Sequence, residues 1–193
     1  MTFQELKKYK FILASKSPRR QYLLTELGLN FEVKTKEVDE SFSSELKAQE
    51  IPLYLCNKKA EAFVEDIDEN TIVITADTIV WVDNQVLNKP ENYEDAVRML
   101  KMLSGKKHEV YTGVCLKSKH KTKSFYALTS VYFKELSDSE IEYYVKNFNP
   151  YDKAGSYGAQ EWIGYIAVKK IEGTYFNVMG LPVHELYEEL LRF

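Results

Sequence analysis

The apolar residues of the chain recur in a pattern that predicts alternating strands and helices. Thr71 to Val82 is almost uninterrupted apolar sequence apart from threonines and one aspartate, which is typical of a strand buried on both faces. A shorter apolar run, Phe11 to Ala14, is followed by Ser17 and Pro18. Because serine is a good N-cap and proline fits the first helical position, a helix is predicted from there to Gly28.

The other elements follow from the same kind of pattern. The remaining predicted strands are 31–33, 85–87, 109–116, 124–133 and 163–170; the remaining predicted helices are 52–65, 91–103, one opened by the capping box of Ser137 and Glu140, and 184–192. Buried and alternating strands with helices between them indicate an α/β fold, a mixed twisted sheet flanked by helices. The predicted hairpins exclude a purely parallel sheet of the Rossmann type.

The composition indicates one globular domain spanning residues 1–193. Apolar residues make up 45% of the chain and charged residues 28%, and no stretch reaches the ~18 uncharged apolar residues of a membrane helix. The lysine-containing segment 1–10 is followed by only four apolar residues, too few for a secretory signal. We therefore expect a cytoplasmic protein with no membrane partner.

Charge and cysteine content narrow the function classes further. The formal net charge is −3, whereas proteins that wrap duplex nucleic acid are strongly basic. The basic run Lys117 to Lys123 lies between two predicted strands and is interpreted as a solvated hairpin tip. Cys56 and Cys115 have neither zinc-site spacing nor the density of a disulfide framework, so both are expected to be buried.

Arg19 and Arg20 occupy the first turn of the helix that Ser17 opens. Cations there oppose the helix dipole at a cost of a few tenths of a kcal/mol, unless an anion binds. The arginines either face solvent or help to hold a phosphate, and the first turn alone does not decide between the two.

Asp77 interrupts the longest apolar run of the chain. A buried, ionised carboxylate must be satisfied by hydrogen bonds, a cation or a metal. One interpretation is a structural aspartate paired with a neighbouring lysine. The other is a cleft for a triphosphate and its divalent ion, in which Asp77 and Glu40 converge with basic residues; those residues are Arg19, Arg20, Lys59 and Lys89.

A second candidate segment, Asp152 to Gln160, contains small residues that allow a planar ligand to approach closely. Gln160 offers both a donor and an acceptor, which suits the edge of a base; the alternative is a plain glycine-rich loop. His108 is more often structural than catalytic in such a position. The chain has no GxGxxG or Walker motif, so the two commonest nucleotide-binding signatures are absent. Ser15 and Ser17 lack the GxSxG setting of a hydrolase nucleophile, so covalent catalysis is not indicated.

Five ordered stretches resemble the motifs of the Maf-like nucleoside triphosphate pyrophosphatases. They are Ala14-Ser15-Lys16-Ser17-Pro18-Arg19-Arg20, Ala76-Asp77-Thr78-Ile79-Val80 with Asn88-Lys89-Pro90, Ser104-Gly105-Lys106-Lys107-His108, Asp152-Lys153-Ala154-Gly155 through Gln160, and Asn177-Val178-Met179-Gly180-Leu181-Pro182. The resemblance implies an ITPase-like fold, a homodimer, and cleavage between the α and β phosphates of a nucleoside triphosphate with a divalent metal, Mg²⁺ or Mn²⁺.

The resemblance also implies a role for each matching residue. Asp77 would activate water as the catalytic residue, and Glu40 and Asp77 would hold the metal. The triphosphate-binding residues would be Ser15, Arg20, Lys59 and Lys89, and base choice would follow Arg19, Thr78 and Gln160. This combination looks like the branch that acts on dTTP and UTP.

Three alternatives accompany that interpretation. The branch acting on methylated GTP typically carries an acid where Gln160 stands. Within the dTTP and UTP branch, Asn88 and Ala159 depart from the usual residues of the family at positions flanking the cleft, and these departures concern the relative rates among pyrimidine nucleotides. The family has also been linked to arrest of cell division, which suggests a nucleotide-binding septum regulator with little turnover. Single-strand nucleic-acid binding through exposed aromatics is the least favoured alternative, since the balance of charge is acidic.

Overall fold

The computed structural model describes all 193 residues. The strands are β1 (Lys10–Leu13), β2 (Phe31–Val33), β3 (Thr71–Val82), β4 (Gln85–Leu87), β5 (Lys107–Lys117), β6 (Thr122–Phe133) and β7 (Val168–Glu172). The α-helices are α1 (Phe3–Leu6), α2 (Pro18–Glu26), α3 (Glu50–Glu61), α4 (Tyr93–Leu103), α5 (Asp138–Phe148), α6 (Trp162–Ala167), α7 (Tyr175–Met179) and α8 (Val183–Arg192). Short 3₁₀ turns cover Val64–Asp66, Pro150–Asp152 and Ala154–Ser156.

All strands belong to one seven-stranded sheet in the order β2-β1-β3-β5-β6-β7, with β4 paired to β3. β1 runs parallel to both β2 and β3, whereas β4 is antiparallel to β3 and β7 is antiparallel to β6. The predicted mixed sheet is therefore confirmed.

The chain divides into two compact units. Unit 1 comprises Met1–Asp77, Thr112–Ala127 and Gly180–Phe193, and unit 2 comprises Thr78–Tyr111 and Leu128–Met179. The single folding domain over residues 1–193 stays a prediction, since it concerns how the whole chain folds.

Unit 1 is built around the parallel strands β1 and β3, whose register pairs Lys10 with Thr71 and Leu13 with Ile74. Helix α3 packs very closely on β5, because a methyl group at Gly113 would lie 2.5 Å from the carbonyl of Pro52. In addition, Thr75 Oγ1 of β3 donates to the carbonyl oxygen of Cys56 in α3 at 2.6 Å. These contacts fix α3 against the sheet.

Unit 2 contains a core of buried side chains from β3 to β6 and from α4, α5 and α6. Its β3–β4 hairpin turns at Asp83 and Asn84, which both have positive φ (48° and 58°), the conformation that a tight two-residue hairpin turn requires. Tyr144 of α5 is fully buried in this core. The predicted turn and capping box of this unit are both confirmed, since Ser137 accepts from Glu140 N and the Glu140 side chain accepts from Ser137 N.

The predicted strand 163–170 is wrong over residues 163–167, which belong to α6, and is confirmed only from Val168, where β7 begins. Ile163 and Ala167 are both fully buried, and their four-residue spacing fits one face of a helix. At Gly164 an added methyl group would lie 1.9 Å from Ala159 O. The backbone of residue 164 therefore approaches that of Ala159, five positions earlier, so closely that only glycine fits.

Two smaller differences concern helices. α3 begins at Glu50, two residues before the predicted start, so Pro52 occupies its third position, still within the first turn. The short helices α1 and α7 were not predicted, although α1 carries a capping box of Thr2 and Glu5. None of the helices is both long and apolar enough to cross a membrane.

The basic run Lys117 to Lys123 spans the end of β5, the connecting residues 118–121 and the start of β6, so its predicted place between two strands is confirmed. Lys119 and His120 are exposed and both contact Glu69, at 2.5 and 2.9 Å. Lys119 is thus paired with a surface acid, whereas Lys121 donates to the backbone carbonyls of Arg192 and Phe193. Both cysteines are buried and free, as expected.

Candidate active site

Lys59 of α3 lies between two carboxylates in unit 1. Its Nζ is 2.6 Å from Asp77 Oδ1 and 3.0 Å from Glu40 Oε1. Asp77 is 9% exposed and stands in the middle of β3, three residues beyond Ile74, where the pairing with β1 ends. The pleat directs Asp77 and Thr75 to the same face of the sheet, and Thr75 is the residue that anchors α3. The site is therefore formed where a helix is held tightly against a strand.

The aspartate is paired with a lysine, as the structural interpretation requires, but the cluster contains one more acid than such a pair. A purely structural pair consists of one carboxylate and one cation, whereas here a second carboxylate, Glu40, contacts the same ammonium group and is half exposed. Sharing leaves Lys59 able to change partners when an anionic ligand arrives, since an ammonium is a compact charge on a flexible stem.

Arg20 of α2 lies near the same cluster. Its Nε donates to Gly180 O at 2.7 Å, and its Nη1 donates to Ala76 O at 2.8 Å. Burial lowers the pKa of the Arg20 guanidinium, while the charge of Asp77 acts in the opposite direction and that of Arg19 adds to the lowering. An arginine remains charged at neutral pH nonetheless, so a half-buried positive charge is held near Asp77.

Ser15 links β1 to the start of α2. Its hydroxyl accepts from Ser17 N at 3.2 Å and from Arg20 Nη1 at 3.5 Å, and it is 7% exposed. Ser17 caps the helix by accepting from Arg20 N. The predicted N-cap and the proline at the first position are confirmed. Within unit 1, the fold thus brings together five predicted site residues: Ser15, Arg20, Glu40, Lys59 and Asp77.

The remaining predicted site residues belong to unit 2, apart from Arg19, which is half-buried in unit 1. Thr78 follows Asp77 in β3 and is half-buried, and Lys89 is exposed. The segment before Lys89 is tied to the loop that leads to Gln160, because Gly155 N donates to Asn88 O at 3.1 Å. Unit 2 therefore brings two of the predicted motifs into contact.

Comparison with known proteins shows the family of the chain that carries these site residues. The model of a family described as Maf-like protein matches residues 10–193. The chain belongs to the Maf-like family. The resemblance inferred from the five motifs is confirmed.

Close relatives in the Maf-like family carry one description. A "dTTP/UTP pyrophosphatase" of Phocaeicola vulgatus is 55% identical over 97% of each chain. One of Flavobacterium johnsoniae is 52% identical over 98% of each chain. Among solved structures, the Ham1 protein of Staphylococcus aureus matches with a TM-score of 0.45 and 13% identity, over 64% of this chain and 71% of that one.

The Maf-like sequence motifs also contain a pair of residues to which sequence reasoning gave no function. His108 and Tyr157 are buried in unit 2, with His108 Nε2 2.8 Å from the Tyr157 hydroxyl and both rings edge-on to Phe133. Burial lowers the pKa of His108 to about 3 and raises that of Tyr157. The two side chains are therefore neutral at physiological pH. Their place in two separate motifs was the only available signal, and it gave no hint that they touch.

Proposed function

We propose that this Maf-like protein is a nucleoside triphosphate pyrophosphatase that converts dTTP and UTP to the nucleoside monophosphate and pyrophosphate. The observation that carries the proposal is the carboxylate of Asp77, held 2.6 Å from the ammonium of Lys59 and near the half-buried guanidinium of Arg20. The description shared by relatives more than 50% identical over nearly the whole chain supports it. The activity is that of a hydrolase acting on an acid anhydride.

In this proposal the cations of unit 1 bind the charge of the triphosphate. Lys59 turns from Glu40 towards a phosphate oxygen, and Ser15, at the start of α2, donates its hydroxyl beside the helix N-terminus. Arg20 contributes positive charge while its bonds to Ala76 O and Gly180 O keep it in place. Exposed Lys89 supplies a further cation to the phosphates.

Asp77 then acts as the base. A water molecule attacks the α-phosphorus, its proton passes to the Asp77 carboxylate, and the α–β anhydride bond breaks with pyrophosphate as the leaving group. Positive charge from Lys59 and Arg20 near the carboxylate favours the accumulation of negative charge on the phosphates during this step.

A divalent ion, Mg²⁺ or Mn²⁺, fits the donor set. No group of three or more histidine, cysteine, aspartate or glutamate side chains is placed to hold a metal, but Asp77 and Glu40 meet at one ammonium. Two carboxylates completed by phosphate oxygens and water are what Mg²⁺ prefers at a nucleotide site. When bound, the ion neutralises phosphate charge, and Asp77 and Glu40 are the residues that would hold it.

Base choice is assigned to Arg19, Thr78 and Gln160. The carboxamide of Gln160 presents an acceptor and a donor side by side, which matches the N3–H donor and O4 acceptor of uracil and thymine. Its Oε1 is buried without a partner in the protein, and a buried acceptor of this kind gains free energy when a ligand donates to it.

The proposal is tested by pyrophosphate release from a panel of nucleoside triphosphates that includes methylated GTP, with Mg²⁺ or Mn²⁺. We expect turnover of dTTP and UTP that falls about 10³-fold or more in Asp77→Asn, which keeps the shape and removes the base. Turnover of methylated GTP alone would overturn the base assignment. Tight nucleotide binding without turnover would instead support the nucleotide-binding septum regulator.

The homodimer and the cytoplasmic location belong to the same proposal, and light scattering and cell fractionation test them. We also propose that the chain does not act on nucleic acid, given its net charge of −3. A filter-binding assay with single-stranded DNA at physiological salt checks this.

A further inference from the structure

We propose that His108 is a positioning residue for base recognition: through its hydrogen bond to Tyr157 it fixes the loop that orients the carboxamide of Gln160. This inference rests on the proposed function, because it concerns how the same nucleotide is selected. It adds to that function a buried pair of side chains in unit 2 that sets which base is accepted.

The loop from Gly155 to Gln160 needs external support. Gly155 and Ser156 both have positive φ (67° and 60°), and for Ser156 this left-handed conformation is unfavourable. The Ser156 hydroxyl is buried without a hydrogen-bond partner. The Ser156 side chain therefore makes no hydrogen bond that would offset the strain of its backbone. Contacts from residues outside the loop must stabilise this conformation.

Two such contacts are made immediately before Gln160. His108 Nε2 lies 2.8 Å from the Tyr157 hydroxyl, and Gly158 N donates to the Tyr144 hydroxyl at 3.0 Å. Tyr144 in turn donates to Glu161, on the other side of Gln160. Gln160 thus lies in a short segment that is anchored at both ends by buried tyrosines.

The carboxamide of Gln160 rests directly on the anchored backbone. A methyl group at Gly158 would lie 3.0 Å from Gln160 Nε2 and 2.8 Å from the carboxyl carbon of Glu161. A small shift of Gly158 therefore changes the space available to the amide. Because Tyr157 precedes Gly158, loss of the bond between His108 and Tyr157 frees the amide to rotate by half a turn, which exchanges its donor and acceptor.

Such a rotation has a specific chemical consequence. Uracil offers a donor at N3 and an acceptor at position 4, whereas cytosine offers an acceptor at N3 and a donor at position 4. A fixed amide accepts the first pattern and rejects the second, since the wrong base leaves buried polar groups unpaired. An amide that rotates loses this discrimination.

The test is the ratio of kcat/KM for UTP to kcat/KM for CTP, measured in a matched pair of variants, His108→Gln and His108→Asn. A glutamine amide reaches about as far as the imidazole Nε2 and restores a bond to Tyr157, whereas the shorter asparagine does not. We expect the ratio to fall about tenfold in His108→Asn and in Tyr157→Phe, and to stay near the wild-type value in His108→Gln. Tyr132→Phe, which removes a hydroxyl bonded to Glu172 at 2.6 Å, is the control.

Other outcomes overturn the proposal. An unchanged ratio in folded Tyr157→Phe contradicts it, as does a fall in the ratio that persists at the same size in a Gln160→Ala background. If the wild type releases no pyrophosphate, the proposed function is overturned, and the same ratio is then taken from the Kd values of UTP and CTP by calorimetry. An equal Kd for the two nucleotides in the wild type would also contradict the positioning role.

Discussion

The Nη1 of Arg20 donates to the carbonyl oxygen of Ala76 at 2.8 Å, one residue before Asp77. The same guanidinium holds Gly180 O through Nε. One half-buried side chain therefore ties α2 to the backbone of β3 and to the segment before α8. Its planar fork makes two bonds in fixed directions, which an ammonium cannot reproduce.

Arg20→Lys should accordingly be destabilising although it keeps the charge. We expect the free energy of unfolding to fall by about 1–3 kcal/mol, since at least one buried carbonyl loses its donor. Urea unfolding followed by circular dichroism measures the change. Arg98→Lys, at an exposed arginine 2.6 Å from Asp95, is the matched control and should stay within about 0.5 kcal/mol of the wild type.

Lys59→Met should lower both activity and stability. Asp77 loses the ammonium 2.6 Å from its Oδ1, so we expect kcat/KM for dTTP to fall about 100-fold or more. The unfolding free energy should fall by about 2 kcal/mol, because a largely buried carboxylate remains without its cation. If the double variant with Asp77→Asn is as unstable as the sum of the single variants, the two side chains are not coupled in the folded protein.

Gly155→Ala should be more damaging than Gly28→Ala, although both glycines have positive φ (67° and 76°). A methyl group at Gly155 would lie 2.8 Å from Val80 Cγ2, whereas one at Gly28 would meet only Phe3 at 3.4 Å. We expect a loss of about 1 kcal/mol at Gly28 from backbone strain and about 1–3 kcal/mol more at Gly155 from overpacking. Thermal unfolding compares the two, and Val80→Ala should recover part of the loss at Gly155 alone.

The burial of His108 makes stability depend on pH. Its pKa falls from 6.5 to about 3 on folding, so between these values the unfolded chain binds a proton that the folded chain does not. The contribution of neutral His108 to the free energy of unfolding is therefore fully present above pH 6.5. It declines as the pH falls towards 3, by about 1.4 kcal/mol per pH unit. The difference in unfolding free energy between pH 7.5 and pH 5 should be about 2 kcal/mol smaller in His108→Gln. Equal differences in the two proteins would show that His108 does not stay neutral in the fold.

Local sequence signals were sufficient for most of the elements. The Ser17-Pro18 start of α2, the largely apolar run of β3 and the capping box of α5 each depend on residues within a few positions of one another. Their physical causes, which are N-cap hydrogen bonds and burial on both faces of a strand, act over the same short distance. These signals determined the α/β class and the order of most strands and helices; the exceptions are α6 and the short helices α1 and α7.

The motifs likewise indicated candidate site residues, since charged groups in apolar settings need partners wherever the chain takes them. Only the tertiary structure decided which partner each one has. Asp77 is joined to Lys59 across 18 positions, Arg20 to Gly180 across 160, and His108 to Tyr157 across 49. The choice of these contacts depends on how helices pack on the sheet, a property of shape and close approach that no short window of sequence contains.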